Sequence, residues 1–396
     1  MAGQRSFSPG STVESAGRRR RSKFGWRPGL LAGTLLAATG FAAVASSGPA
    51  GAFGPPFLSH FDTATTIAST VPANGDVNPY GIVVVPQNMG RLVAGDTLIS
   101  NFNARSNLQG TGTTIVQISP GGQQTLFSQI DPHFLPGPCP GGVGLTTALT
   151  VLGNGDVVVG SLPVTDAGNG TPEAGCLIVL DSFGRPIETW SGYGINGPWD
   201  LASAQYGNVD QLFVTNVLNG TVAANGNEVH GGTVVRLDVT DQYGRPPVLL
   251  SATTIATGFA EELNSSALVL GPTGDALGHN DVLYVADTIN NRIAAVPDAS
   301  FRSSPVPYGG FTLTSGGSLN APLGLTIAPN GDLITVNGGN GNAVEVNPYG
   351  PQVDTVTIDP LNAGGDLFGL AIAPGGHGVL FVDDGDNTLK LWGPGV

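Results

Sequence analysis

A strand–turn–strand unit returns six times along this chain and governs what it can fold into. Its sharpest copies are DVLYVADTINNRIAAVPDA (281–299), PLGLTIAPNGDLITVNGGNGNAVEVNPYG (322–350) and LFGLAIAPGGHGVLFVDDGDNTLKLW (367–392). Each is an apolar strand, a Gly/Asn turn, a second strand ending in Asp or Asn, and a third strand. One such unit cannot bury both of its faces, so several must pack around an axis. The fold class this implies is all-β: a six-bladed β-propeller of four-stranded blades.

First strands taken from Tyr80, Thr147, Trp199, Ser266, Leu323 and Phe368 space the blades 45–67 residues apart. That range suits four strands joined by variable loops. The second strands are DTLISN (96–101), DVVVGS (156–161), QLFVTN (211–216), VLYVAD (282–287), DLITVN (332–337) and VLFVDD (379–384). Val, Ile, Leu and Phe dominate them, as strands covered on both faces require. Fourth strands are expected at QQTLFSQ, PIETWSG, PVLLSATTIA, FTLTSG and QVDTVTI. The last unit runs out after LKLW (389–392), while a β-type stretch, DTATTIAST (62–70), is left over before the first. Pairing that stretch as the outer strand of the sixth blade closes the ring and removes an open edge. The propeller is thus expected over 62–396, with 53–61 as a short lead-in and no helix of any length.

Charge is distributed unevenly. Residues 1–27 hold Arg5, Arg18, Arg19, Arg20, Arg21, Lys23 and Arg27. The rest of the chain keeps 8 basic against 28 acidic residues. So acidic a body repels phosphate backbones and anionic lipid, which argues against nucleic acid or a membrane surface as partner. A protein, glycan or small ligand is expected instead, on a monomer. Only 11% of residues are charged and 40% are hydrophobic, so the 61 glycines and 30 prolines read as turns in a packed domain rather than as low complexity.

The basic cluster precedes GLLAGTLLAATGFAAVA (29–45) and then Ala50-Gly51-Ala52. A charged region, an apolar core and an A-x-A site read as a secretory signal peptide over 1–52, with Ala45 as an alternative cleavage point and an uncleaved anchor as the competing reading. The expected location is secreted, periplasmic or cell-surface. In an exported chain the two cysteines, Cys139 and Cys176, read as a disulfide tying the lead-in loop of the second blade to its third strand; two buried thiols are the alternative.

Val285-Ala286-Asp287 with Asn290, Asn291, Arg292 and Ile293 resembles the NHL repeat, and Asn78-Pro79-Tyr80-Gly81-Ile82 and Ala321-Pro322-Leu323-Gly324-Leu325 look like its opening. The resemblance spans about 60–393, but only the fourth unit carries the full second half; the second strand of the third ends in Thr215-Asn216 instead of Ala-Asp. It implies a six-bladed propeller and no single activity, since such propellers serve as binding scaffolds, lactonase-like hydrolases and lyases.

In a propeller the residues entering each first strand and ending each second strand reach one face. The entry positions are Asn78, Gly144, Asn196, Asn264, Asn320 and Asp366; the exit positions are Asn101, Ser161, Asn216, Asp287, Asn337 and Asp383, with Asp200 just inside the third entry. So many amide and carboxylate oxygens suit a ligand surface, and a calcium ion near Asp287, Asp366 and Asp383 is chemically reasonable. The same residues also end strands for local reasons, because Asn and Asp bond their own backbone and tolerate left-handed turns. His279 and His377 lie in turns on the opposite face, and His60, His133 and His230 lie elsewhere, so no zinc-type cluster is expected. No G-x-S-x-G elbow is present. The fold also resembles the gluconolactonase and senescence-marker group, in which a glutamate entering one blade joins Asn and Asp in holding a divalent ion. Here Asn78 stands at the first entry, and Glu261, beside Glu262 in the expected loop before blade four, is the nearest glutamate. The reading is an exported, non-catalytic propeller that binds on its channel face, with a calcium-dependent lactonase-like hydrolase or lyase as the alternative. Export itself predicts a mature chain beginning at Phe53. N-terminal sequencing of secreted protein checks this, and an intact Met1–Ala52 segment on soluble cytoplasmic protein is the contrary result.

Overall fold

The computed structural model describes residues 54–164, 170–240, 242–361 and 364–395; the expected signal segment lies outside them. Six antiparallel sheets form a ring of blades. Blade one is Val77–Val84, Thr97–Asn103, Thr114–Ile118 and Gln124–Gln129; blade two is Leu145–Val151, Val157–Ser161, Cys176–Leu180 and Pro186–Trp190. Blade three is Pro198–Tyr206, Val209–Asn216, Val229–Thr240 and Leu249–Asn264, with a fifth short strand, Leu268–Leu270. Blade four is Pro272–Leu277, Leu283–Asp287, Arg292–Val296 and Phe311–Ser315; blade five is Pro322–Ile327, Leu333–Asn337, Asn342–Val346 and Gln352–Thr357. Blade six is Leu367–Ile372, Val379–Asp383, Thr388–Gly393 and Thr63–Ser69. Among the described residues the only helical pieces are short 3-10 turns, and no helix is long and apolar enough to cross a membrane.

Burial follows position within the blade. In five blades the second strand is buried along its whole length because neighbouring blades cover both faces, and in blade three only Val209 and Gln211 of that strand are half-buried. Outer strands alternate, as in Gln352–Thr357, because one face meets solvent. The core therefore lies between blades. Leu98 and Ile115 of blade one pack against Leu145, Val157 and Ile178 of blade two, and Ile334 and Val336 of blade five against Leu367 and Phe381 of blade six.

The first strands meet around the axis, where there is little room for side chains. A Cβ on Gly81 would lie 2.5 Å from Ser100 Oγ, and one on Gly324 would lie 2.2 Å from the Phe368 carbonyl. Gly274 and Gly369 are crowded in the same way, at 2.3 Å from the carbonyls of Leu323 and Tyr80. This constraint corrects one expectation. Blade four begins at Pro272, not Ser266: Pro272-Thr273-Gly274 places a glycine at the crowded point, whereas Ser266-Ala267-Leu268 has none. The apolar run Ala267–Leu270 instead folds back on the end of the Leu249–Asn264 strand as a hairpin, with Leu263 opposite Val269.

Ring closure is as expected. Thr63 pairs with Gly393 and Ser69 with Thr388, so the N-terminal strand is the outer strand of the last blade. The lead-in is more than a tether. The backbone N–H groups of Phe57 and Leu58 donate to the two oxygens of buried Glu345 at 2.7 and 2.8 Å, and the Trp392 indole donates to the Leu58 carbonyl at 3.3 Å. Cys139 and Cys176 form a disulfide between the loop before blade two and the first residue of its third strand. Deleting residues 62–70 is expected to expose the Thr388–Gly393 edge and cause aggregation or loss of cooperative unfolding. Light scattering with thermal denaturation checks this; an unchanged midpoint in the deletion is the contrary result.

Candidate functional site

The exit residues hold the strand entries in place. Asn216 Oδ1 accepts from the Asn196 N–H at 3.2 Å, Asn337 Oδ1 from the Asn320 N–H at 3.0 Å, and Ser161 Oγ from the Gly144 N–H at 3.0 Å. Asn101 donates to the Thr70 carbonyl at 3.1 Å. All four are fully buried. In these blades the strand-terminating role of Asn and Ser is the one realised, because a buried backbone N–H at each entry needs an acceptor.

The acidic members are committed as well. Asp287 accepts from Arg292 Nε at 2.7 Å and from Asn290 at 3.1 Å, while Arg292 also donates to the Gly309 carbonyl at 3.0 Å. Asn291 takes the left-handed conformation of the intervening turn, at φ 50°. The D-x-x-N-x-R wording of the fourth unit is thus a hairpin clamp. Asp383 is paired with Lys390 at 2.5 Å and accepts from the Gly385 N–H at 3.0 Å. Asp366 is pushed above its ordinary value by burial and then by Asp359 and Asp386. Among the described residues no three His, Cys, Asp or Glu side chains come together as a metal-holding group, so the expected calcium set of Asp287, Asp366 and Asp383 is not assembled.

An aromatic stack closes the channel mouth. Tyr80 stacks on Phe368 at 3.9 Å and on Phe102 at 4.4 Å, with Trp199 6.0 Å away. The 262–270 hairpin lies over them: Ala267, Leu268 and Val269 join this cluster, and the Trp199 indole donates to the Val269 carbonyl at 3.0 Å. Asn264 stabilises the hairpin turn by accepting from the N–H groups of Ser266 and Ala267 at 2.8 and 3.0 Å. Gln109 reaches across from blade one to the Ser266 carbonyl at 2.7 Å.

Beside this plug lies a polar pocket of about 600 Å³. Asn78, Asn103, Asn107, Gln109, Asn264 and Asp384 supply its polar wall, and Leu108, Leu263 and Leu268 its apolar one. Of the predicted residues, Asn78 and Asn264 reach it. Asn78 is held at φ 61°, and its N–H donates to Asn387 Oδ1 of blade six at 2.7 Å. Asn103 Nδ2 donates to Asn107 Oδ1 at 2.7 Å. The Oδ1 atoms of Asn78 and Asn103 are both buried without a hydrogen-bond donor among the described residues. Burial, with Asp366 and Asp383 adding repulsion, pushes Asp384 up to about 7. Asn103 and Asp384 were missed because they follow the strand-ending residues Asn101 and Asp383, on which the sequence reading stopped. Their signal was the second Asn of Asn101-Phe102-Asn103 and the second Asp of Asp383-Asp384.

Glu261 sits neither in a solvated loop nor in the pocket. It is in the Leu249–Asn264 strand opposite Val229, fully buried, and burial pushes it up to about 7, with Thr221 and the Asn219 backbone limiting the rise. Because its folded value exceeds its ordinary 4.5, the folded state holds this proton more tightly. Stability from this group is therefore complete at low pH and is lost as pH rises toward 7. Glu261→Gln is expected to flatten part of the fall in stability between about pH 5 and about pH 8, read by denaturant midpoints. Identical pH slopes for parent and variant are the contrary result.

No protein-family model and no curated protein matches the sequence. Solved structures do match, and they are six-bladed propeller proteins. A gluconolactonase from Xanthomonas campestris is similar over 86% of this chain and 95% of its own, at 14% identity and a TM-score of 0.54. A luciferin-regenerating enzyme is similar over 84% and 96%, at 13% identity and a TM-score of 0.50. At such identities the likeness is one of fold.

Proposed function

We propose that the polar pocket is the site of a calcium-dependent, lactonase-like hydrolase or lyase acting on a small, uncharged, polar substrate. The observation that carries this reading is the pair of donor-less buried oxygens, Asn78 Oδ1 and Asn103 Oδ1, on the same pocket as Asp384. Burying such atoms without a partner costs about 1–3 kcal/mol each, which a hard cation would offset. Amide and carboxylate oxygens without imidazole or thiolate are the donor set calcium takes. A calcium ion there would polarise a substrate carbonyl. Asp384 is the carboxylate on the pocket wall that would accept a proton from water or substrate. Leu108, Leu263 and Leu268 offer an apolar wall to a ring, and the amides of Asn107, Gln109 and Asn264 offer hydrogen bonds to hydroxyls. The net acidity of the propeller disfavours an anionic substrate. Gluconolactonases are among the proteins with this fold. The disulfide suits an exported protein, and we place the enzyme outside the cytoplasm.

A second reading, an exported propeller that binds a protein, glycan or small ligand without catalysis, draws on the same pocket and on the aromatic plug that closes the channel beneath it. Proton release from a panel of aliphatic and sugar lactones, followed with calcium and with chelator, separates the two. Calcium-dependent turnover is expected, falling about 100-fold or more in Asp384→Asn. Calcium dependence should weaken in Asn78→Ala and Asn103→Ala. Ligand binding without turnover of any lactone would favour the second reading.

A further inference from the structure

Below the aromatic plug the axis of the propeller holds a second, small and half-open space. The first-strand residue paired with the position two before the exit residue of the second strand is aliphatic in five blades: Ile82, Leu149, Leu201, Leu325 and Leu370. In blade four it is Asp275. The preceding position, the crowded one, is glycine in four blades and Asp200 in blade three, while in blade two Thr147 stands two before Leu149 with Ala148 between them. These three polar residues fall on consecutive blades, and all three side chains line one cavity of about 70 Å³ on the axis.

Their polar atoms are poorly supplied with partners. Asp275 is 5% exposed and Thr147 is 3% exposed. Thr147 Oγ1 has no hydrogen bond among the described residues, and the Asp275 carboxylate has only the Ala202 backbone N–H turned toward it, without close hydrogen-bond geometry. The Asp200 carboxylate accepts from the Leu201 N–H at 2.9 Å and faces Asp275. No cationic side chain lines the cavity. Two carboxylates in an aliphatic ring, with a bare hydroxyl beside them, cost more than any packing gain could return, since an uncompensated buried charge is among the most expensive groups a fold can carry. A cation between them removes that cost. The cavity exceeds the share of liquid volume one water occupies, about 30 Å³, so it has room for an ion with water completing its shell.

We infer that the axial cavity is a structural cation site of the calcium class, held by Asp275, Asp200 and Thr147 and separate from the pocket of the proposed active site. Three hard oxygen donors from three blades suit such an ion, which would tie blades two, three and four at the axis. The aromatic stack lies between this site and the pocket, so ions in the two places should bind independently. Occupancy stabilises the fold by mass action.

The test uses the intact protein with calcium alone, magnesium, sodium and chelator, reading thermal midpoints and terbium luminescence sensitised by Trp199, the residue next to Asp200. Chelation is expected to lower the midpoint of the parent by about 3–5 °C, reversed by calcium but not by sodium. Asp275→Asn should remove the axial share of that shift and of the terbium signal excited through Trp199. Asp384→Asn should keep that axial share, so loss of activity in that variant bears on the pocket alone. Thr147→Val, which keeps shape and both carboxylates, should weaken calcium binding about tenfold and serves if Asp275→Asn fails to fold. An unchanged terbium signal in Asp275→Asn or an unchanged affinity in Thr147→Val would overturn the site. So would a midpoint of the parent that ignores calcium while Asp275→Asn raises it, since the two carboxyls would then be sharing a proton.

Discussion

Convergence of six first strands on one axis is the constraint from which the rest of the architecture follows. Backbones that close cannot carry side chains at the point of approach, and Gly81, Gly274, Gly324 and Gly369 occupy it. Once those strands are placed, the second strands lie between neighbouring blades and are largely apolar. The outer strands are freed to alternate. Closure by Thr63–Ser69 then covers the edge of Thr388–Gly393 and joins the two ends of the chain in one blade.

Polarity in the interior is organised by the same geometry. Where a first strand turns into the axis, its entering N–H is buried and needs an acceptor, and Asn216, Asn337 and Ser161 provide one within their own blades. Asp287 and Asp383 do a related task with a basic partner on the next strand, Arg292 and Lys390. Both acids are nearly inaccessible, so each pair persists because removing one member would strand a buried charge. The face is rich in Asn and Asp for these structural reasons first. The side chains left over, Asn78, Asn103 and Asp384, open on the pocket.

The cap hairpin and the aromatic stack divide the axis into an outer pocket and an inner cavity. Tyr80, Phe102, Trp199 and Phe368 bury large apolar surface where an open channel would hold water. That closure separates the pocket from the inner carboxylates, of which Asp275 is buried and Asp200 half-buried. Burial raises both above their ordinary value, Asp200 to about 7 and Asp275 well up, with Asp200 adding repulsion. Without a cation, stability from this pair would fall as pH rises past the ordinary carboxylate range, as for Glu261.

Blade number, strand order, ring closure and the disulfide were legible in the sequence, because each depends on local pattern: runs of Val, Ile and Leu, turns marked by Gly and Asn, one leftover strand and one pair of cysteines. Blade four was misread at its start because Ala267–Leu270 has the apolar composition of a first strand; only packing at the axis distinguishes Pro272-Thr273-Gly274 from it. The recurring Asn and Asp positions were legible as well, and so was the face they share. Which of them are spent on backbone N–H groups and which meet a pocket depends on side-chain partners distant in sequence, such as Asn387 of blade six beside Asn78 of blade one, and Asp366 beside Asp384 within blade six. Asp275 shows the limit most sharply. In sequence it is one acid near the start of a strand, and its meaning arises only when the ring brings Thr147 and Asp200 to the same cavity. Local pattern determines which strands form, whereas charges and amides acquire their roles through neighbours distant in sequence, and those are supplied only by the closed ring.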